Sequence, residues 1–180
     1  MISLNIDGKY VKVPKGSTIL AAARSLGIDI PTLCHLELHG TGMVNKAASC
    51  RICVVEVTGR RNLAPACATP VTEGMEVRTN TIRVMNARKM VMELLLSDHP
   101  KDCLTCAKSG SCELQDLAER FCLRESRFEG GEKSTYAHDR SAAIERDMDK
   151  CVMCRRCETM CNEVQTVGAL SGINRGFKAV

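Results

Sequence analysis

Aromatic side chains are nearly missing from this chain: 180 residues include no tryptophan, two tyrosines and three phenylalanines. Its cores must therefore be built from small aliphatic side chains, and nucleic-acid binding on stacked aromatic platforms is excluded. Long apolar runs are lacking too. The longest, "MVMELLL" at residues 90–96, is broken by Glu93 and far too short to span a bilayer. The N-terminus, "MISLNIDGKYVKVPKGS", has no charged stretch leading into an apolar one, so it lacks the mark of a secretory signal. A cytoplasmic chain without membrane insertion is expected, in a compartment where disulfide frameworks are rare.

Cysteine, by contrast, is abundant, with 12 residues in the chain. In a reducing compartment that number points to metal ligation rather than disulfides. The formal charge of +4 does not argue for nucleic acid, because the basic residues are scattered along the sequence. It also counts thiols as neutral. With the cluster cysteines as thiolates and about +2 for each iron–sulfur core, the balance falls to about −1.

The cysteines fall into three groups separated by recognisable elements. Residues 2–13 alternate apolar and polar around Asp7-Gly8, the pattern of a hairpin. A helix is expected from about Thr18 to Leu26, capped by Ser17 and ended by Gly27, with Ile19, Leu20, Ala23 and Leu26 on one side. "CVVEVTG" and "GMEVRTN" read as two further strands. Hairpin, helix, long loop and strands is the order of a small β-grasp sheet, whose loop at residues 31–53 holds the first cysteines. From Thr81 to Ser97 the period becomes helical, and the stripe Ile82, Met85, Met90, Leu94 and Leu95 is expected to be core. That helix ends at Asp98-His99-Pro100, and another begins near Ser111 or Cys112 and runs through "ELQDLAERF". Residues 124–147 are polar and interrupted by glycine, as in a surface connection, and "GGEKST" lacks the residue order of a phosphate loop.

The last group, Cys151, Cys154, Cys157 and Cys161 in "CVMCRRCETMC", has the C-x2-C-x2-C-x3-C spacing of bacterial ferredoxins. Three thiolates of such a run serve one cubane and the fourth serves a neighbour, yet no second run follows. Either a partner motif lies outside these residues, or Cys122 or a non-cysteine ligand completes the site; the former is favoured. The first group, Cys34, Cys50, Cys53 and Cys67, pairs a C-x2-C with a later cysteine on a β-grasp sheet, as plant-type [2Fe–2S] sites do. Its first gap, fifteen residues, is longer than the plant-type one. Between the two lies His99-x3-Cys103-x2-Cys106-x5-Cys112, one imidazole and three thiolates, a full set for a [4Fe–4S] cubane.

Zinc competes, since C-x2-C pairs and Cys3His sets are also structural zinc sites, which would make the chain a zinc-stapled scaffold. The triple run suits tetrahedral zinc poorly, and three such groups in succession favour iron–sulfur. Of the remaining residues, Cys122 is expected to be a buried small hydrophobe. His35 and His39 are expected to be solvated loop residues rather than donors to the first metal environment, and His138 a solvated linker residue. No nucleophile–base pair, carboxylate dyad or nucleotide loop makes the chain catalytic by itself.

"IPTLCHLELHG", "SCRICVVEVTGRRNLAPACATPVTEGM", "ELLLSDHPKDCLTC", "GSCELQDLAERF" and "DKCVMCRRCETMCNEVQTVGAL" together resemble the N-terminal electron-transfer region of the iron-only hydrogenase subunit of NADP-reducing, electron-bifurcating complexes. A related pattern begins the large iron–sulfur subunit of respiratory complex I, which generally lacks a cysteine at the place of Cys161. The resemblance implies an α+β chain in three modules: a β-grasp [2Fe–2S] domain over 1–79, a helical His/Cys3 [4Fe–4S] domain over 80–138, and the first half of a ferredoxin-like [4Fe–4S] domain over 139–180. It implies one [2Fe–2S] cluster at Cys34, Cys50, Cys53 and Cys67, and one [4Fe–4S] cluster at His99, Cys103, Cys106 and Cys112. A second [4Fe–4S] cluster falls to Cys151, Cys154 and Cys157, with Cys161 reaching towards a further cubane in a longer chain. The implied partners are a flavin- and NAD(P)-binding subunit and a small [2Fe–2S] subunit, with ferredoxin as a further candidate. A complex I-like or formate dehydrogenase assembly is the alternative. The family's second ferredoxin half and its catalytic di-iron domain have no counterpart in these 180 residues.

Overall fold

A computed structural model describes residues 1–38, 42–45, 48–130, 139–140, 142–143 and 145–179. The chain divides into two compact units, Met1–Val91 and Met92–Val180. His39 and His138 lie outside the described residues.

The first unit begins with the expected hairpin, β1 (Ile2–Ile6) and β2 (Lys9–Val13), paired antiparallel. Asp7 and Gly8 both hold positive φ, 50° and 84°, the conformation that a two-residue hairpin turn with the native strand twist demands. The Asp7 carboxylate also accepts from the Thr79 amide at 2.8 Å, tying this turn to the end of the strand that lies beside β1. Helix α1 (Ile19–Ser25) starts one residue later than expected. Its cap is Thr18 rather than Ser17, because the Thr18 hydroxyl accepts from the Ala21 amide at 3.2 Å. At the other end the Ile28 amide donates to the Ala23 carbonyl at 2.9 Å around Gly27, whose φ of 70° only glycine adopts freely.

A short hairpin, β3 (Glu37–Leu38) with β4 (Met43–Val44), interrupts the long loop. Then come β5 (Val54–Val57), β6 (Ala64–Pro65) and β7 (Met75–Arg78). The sheet order is β2-β1-β7-β5-β6, with β1 and β7 parallel and the other pairs antiparallel. Alternation puts Leu4, Ile6, Val55 and Val77 on the face that Ile19 and Leu20 of α1 cover. The core is aliphatic, as a chain without tryptophan requires.

Helix α2 (Ile82–Ser97) forms where expected, but its inward face is not the expected one. Ile82, Met85, Met90 and Leu94 are exposed, whereas Val84, Arg88, Met92 and Glu93 are buried. The inward residues Val84, Arg88 and Met92 recur every four positions, a helical period that hydrophobicity misses because two inward residues are charged. Each charge is satisfied where it lies. Arg88 donates from Nη2 and Nε to the Val54 carbonyl at 2.9 and 3.2 Å. In the second unit, Glu93 accepts from Arg127 Nη2 at 2.7 Å and Nε at 2.9 Å.

The second unit is mostly loops around short elements: α3 (Glu113–Arg120), the two-residue strands β8 (Asp139–Arg140) and β9 (Glu145–Arg146), and α4 (Arg156–Thr159). Leu114, Leu117 and Phe121 bury one face of α3. Arg156 joins the two helices by donating to Glu113 at 2.9 Å. Among the described residues, no helix is long and apolar enough to cross a membrane.

Candidate metal centres

Cys34, Cys50, Cys53 and Cys67 are brought together in the interior of the first unit, between 1% and 9% exposed and not joined as disulfides. The Cys34 side chain is hydrogen-bonded to those of Cys50 and Cys67, and the Cys53 side chain to that of Cys67. Four sulfurs in one dry space cannot all be thiols of ordinary acidity. Bonds from Cys50 and Cys67 push Cys34 far below the usual thiol range. The Cys67 bond lowers Cys53 to about 7. The protons stay on the partners: Cys50 is pushed up by its bond to Cys34 and by burial, Cys67 by its bonds to Cys34 and Cys53.

Backbone amides converge on the same sulfurs, from Cys50 to Cys34, from Ile52 to Cys50, and from Cys67 and Ala66 to Cys53. The turn that aims them puts Ala48 and Arg51 at positive φ, 46° and 62°. Buried sulfurs with a tendency to negative charge, met by amide dipoles, are the donor set that a cationic iron–sulfur core requires. Among the described residues, no three His, Cys, Asp or Glu side chains gather around a single-ion position.

Asn45 holds this loop shut. It is 5% exposed, accepts from the Leu36 amide at 2.7 Å, and donates from Nδ2 to the Cys34 carbonyl at 2.8 Å. Sequence reasoning missed it, since an asparagine in a polar loop signals nothing by itself. It also misplaced His35, whose side chain is only 7% exposed. The ring is buried because Arg24 and Glu37 close over it, with Arg24 Nη1 3.4 Å from Nε2 and 2.7 Å from the Glu37 carboxylate. Burial, and then the Arg24 charge, hold its pKa below the ordinary value.

His99, Cys103, Cys106 and Cys112 line one cavity of about 610 Å³ in the second unit. A single helical turn, Cys103–Thr105, carries the first thiol and leads to the second. Cys112 stands at the N-cap of α3, so the helix start fixes the third. The His99 Nδ1 atom is buried. Cys122 faces the same cavity but is exposed, lying past the end of α3 at a φ of 53°, so the expectation of a buried hydrophobe in the helix is overturned. The helix stops at Arg120, two residues short of Cys122.

In the last group, Met153 and Arg155 hold positive φ, 52° and 59°, which coils the chain back between successive cysteines. The Met153 amide donates to Cys151 Sγ at 3.4 Å, and the Ala169 amide to Cys161 Sγ at 3.2 Å. Cys157 sits in α4 and Cys161 in the wider helical turn, Met160–Val164, that continues it.

A β-grasp sheet with four sulfurs gathered against it, three from its loop and Cys67 from beyond β6, followed by a His/Cys3 cavity, defines an iron–sulfur protein. Residues 1–82 match the 2Fe-2S iron-sulfur cluster binding domain, and residues 88–127 the NADH-ubiquinone oxidoreductase-G iron-sulfur binding region. The chain is a homologue of NADP-reducing hydrogenase subunit HndD of Solidesulfovibrio fructosivorans, 70% identical over 180 residues, all of this chain and 31% of that one. It is also related to the N-terminal region of an NADH-quinone oxidoreductase subunit from Rhizobium meliloti, which is 42% identical over 98% of this chain and 20% of its own length. The chain thus spans less than a third of either relative. Among solved structures, an NAD+-reducing [NiFe]-hydrogenase in its H2-reduced state superposes with a TM-score of 0.81 at 28% identity, over 99% of this chain and 73% of that one.

Proposed function

We propose that this chain is the electron-relay region of an NAD(P)-linked hydrogenase, carrying electrons between a flavin- and nucleotide-binding partner and a hydrogen-converting site outside these residues. The gathering of Cys34, Cys50, Cys53 and Cys67 in one buried space carries the reading. In this assignment those four hold a [2Fe–2S] cluster, and His99, Cys103, Cys106 and Cys112 hold a [4Fe–4S] cluster. Cys151, Cys154 and Cys157 hold a second [4Fe–4S] cluster, and Cys161 serves a neighbour. Bound iron–sulfur groups supply one-electron exchange without proton transfer or bond rearrangement.

The chain's own residues do the rest. The sheet and Asn45 fix the sulfurs in place, the aliphatic core excludes water from the first group, and the backbone amides aimed at sulfur favour the more reduced state. The 70% identity to a hydrogenase subunit and the presence of Cys161 favour a hydrogenase assembly over a complex I-like one.

Iron and labile-sulfide counting with electron paramagnetic resonance on the anaerobically purified complex tests the assignment. A brown protein that bleaches on dithionite is expected; a colourless one with stoichiometric zinc overturns it. Replacing Cys34 by serine is expected to abolish electron flow from reduced pyridine nucleotide while hydrogen chemistry from artificial donors continues. Retention of both activities excludes a relay role for that group.

A further inference from the structure

Beyond α3 the chain runs alongside the end of α2 and is fastened there at three places. Ser126 Oγ donates to the Glu93 carbonyl at 2.9 Å and accepts from the Phe128 amide at 3.0 Å, which folds a tight turn against the helix. Arg127 forks onto the Glu93 carboxylate, with Nη2 at 2.7 Å and Nε at 2.9 Å. The third fastening is a close approach. A Cβ at Gly130 would overlap the carbonyl oxygen of Ser97, and its φ lies outside the left-handed region, so space rather than backbone freedom demands glycine here.

In the ion pair it is the anion that is hidden: the Glu93 side chain is 3% exposed against 68% for that of Arg127. A carboxylate so placed is tolerated when a forked guanidinium meets both its oxygens, and Arg127 does so only while its own segment lies against α2. Between α3 and these fastenings, Leu123, Arg124, Glu125 and Ser126 line the cavity of about 610 Å³ that His99 and its three cysteines share. The Gly130 contact falls at Ser97, two residues before His99, whose amide closes on the Leu96 carbonyl at 3.3 Å. Glu93, Arg127 and Gly130 do not themselves line the cavity, so any effect they have on it is exerted through the segment they hold.

We infer that residues 123–130 are a strap that walls the His99 centre off from water, with Glu93, Arg127 and Gly130 as the positioning residues that keep it against α2. This rests on the [4Fe–4S] assignment made above. Reduction adds negative charge, which water solvates better than a protein wall does, so a centre kept dry has a lower potential than the same ligands opened to solvent. The strap thereby sets the potential of a centre to which its fastenings contribute no ligand.

The test uses the intact complex, purified anaerobically, with the reduced [4Fe–4S] signal of this centre recognised by the nitrogen coupling that 15N-histidine labelling alters. Deuterium modulation of that signal after exchange into heavy water measures solvent at the cluster, and a weak modulation is expected in the unaltered protein. Gly130→Ala, which changes no charge, is expected to deepen the modulation, raise the midpoint potential and quicken loss of the centre in air, at unchanged iron and sulfide content. Arg127→Met is expected to deepen the modulation likewise, and Arg127→Lys, which keeps the charge, to restore most of the shielding. Fastenings that served stability alone would lower the thermal midpoint and leave modulation and potential where they were; that result overturns the inference, as does a deep modulation in the unaltered protein. Where Gly130→Ala does not assemble the centre, the modulation in the Arg127 variants decides. Absence of a histidine-coupled cubane signal in the unaltered protein overturns instead the assignment on which the inference rests.

Discussion

Asn45 binds the carbonyl of Cys34 through its amide nitrogen at 2.8 Å, so the residue that starts the sulfur loop is held from eleven positions further along. With its oxygen on the Leu36 amide at 2.7 Å, one buried side chain carries the β3–β4 pairing on to the first cysteine of the loop.

Asn45→Ala leaves both backbone groups without partners in a buried setting. A loss of about 1–3 kcal/mol is expected. Chemical denaturation of the purified protein measures it, and release of iron from the first centre should quicken in step. Unchanged stability and unchanged iron retention would show that the loop closes without the clamp.

Arg88 plays a comparable part from α2, donating twice to the carbonyl of Val54, the residue after Cys53. Arg88→Met keeps most of the buried stem and removes the donors. About 2 kcal/mol of stability should be lost, the worth of hydrogen bonds from a charged group, corresponding to roughly 5 °C in thermal midpoint. Met90→Gln, an exposed substitution on the same helix, should move the midpoint little. Equal effects at the two positions would contradict the inward face of α2.

The sulfur cage predicts an unusual pH profile for the metal-free protein. Cys34 and Cys53 have folded pKa values below the ordinary 9.0, that of Cys53 about 7. Their stabilisation is complete above 9.0 and fades as pH falls through the folded values. Cys50 and Cys67 are raised instead, so their contribution is intact below 9.0 and fades as pH climbs beyond it. Stability of the metal-free form should therefore rise from about pH 7 to about pH 9 and then decline. Denaturation across that range checks the sign; a monotonic fall from pH 7 would show that the sulfurs do not share protons in this way.

Imidazole carries no negative charge, so a cubane at His99, Cys103, Cys106 and Cys112 is one unit less negative than its all-cysteine form. His99→Cys is accordingly expected to lower the potential of that centre in a redox titration followed by electron paramagnetic resonance. An upward shift, or none, would remove His99 from the ligand set.

Much of this was legible in the residues. The hairpin at Asp7-Gly8, both flanking strands, α2 and the start of α3 follow from local patterns that neighbours in sequence enforce. The same holds for the Cys151 run, where two-residue spacers determine how the chain must coil. The inward face of α2 was not legible. Hydrophobicity ranks Met85 and Met90 above Arg88, yet Arg88 lies inside because a strand carbonyl, supplied from thirty-four positions away, accepts its protons. His35 was misread for the same reason, since Arg24 and Glu37 bury it from separate parts of the loop and helix.

By itself the sequence determined which atoms are available to hold metal, because cysteine type and spacing are covalent facts that no packing can alter. Only the tertiary structure decided which sulfurs meet, which charges are buried and which side chains close over His35. Those outcomes depend on partners far apart in the chain, whose hydrogen bonds and dry surroundings exist only once the chain has closed around them.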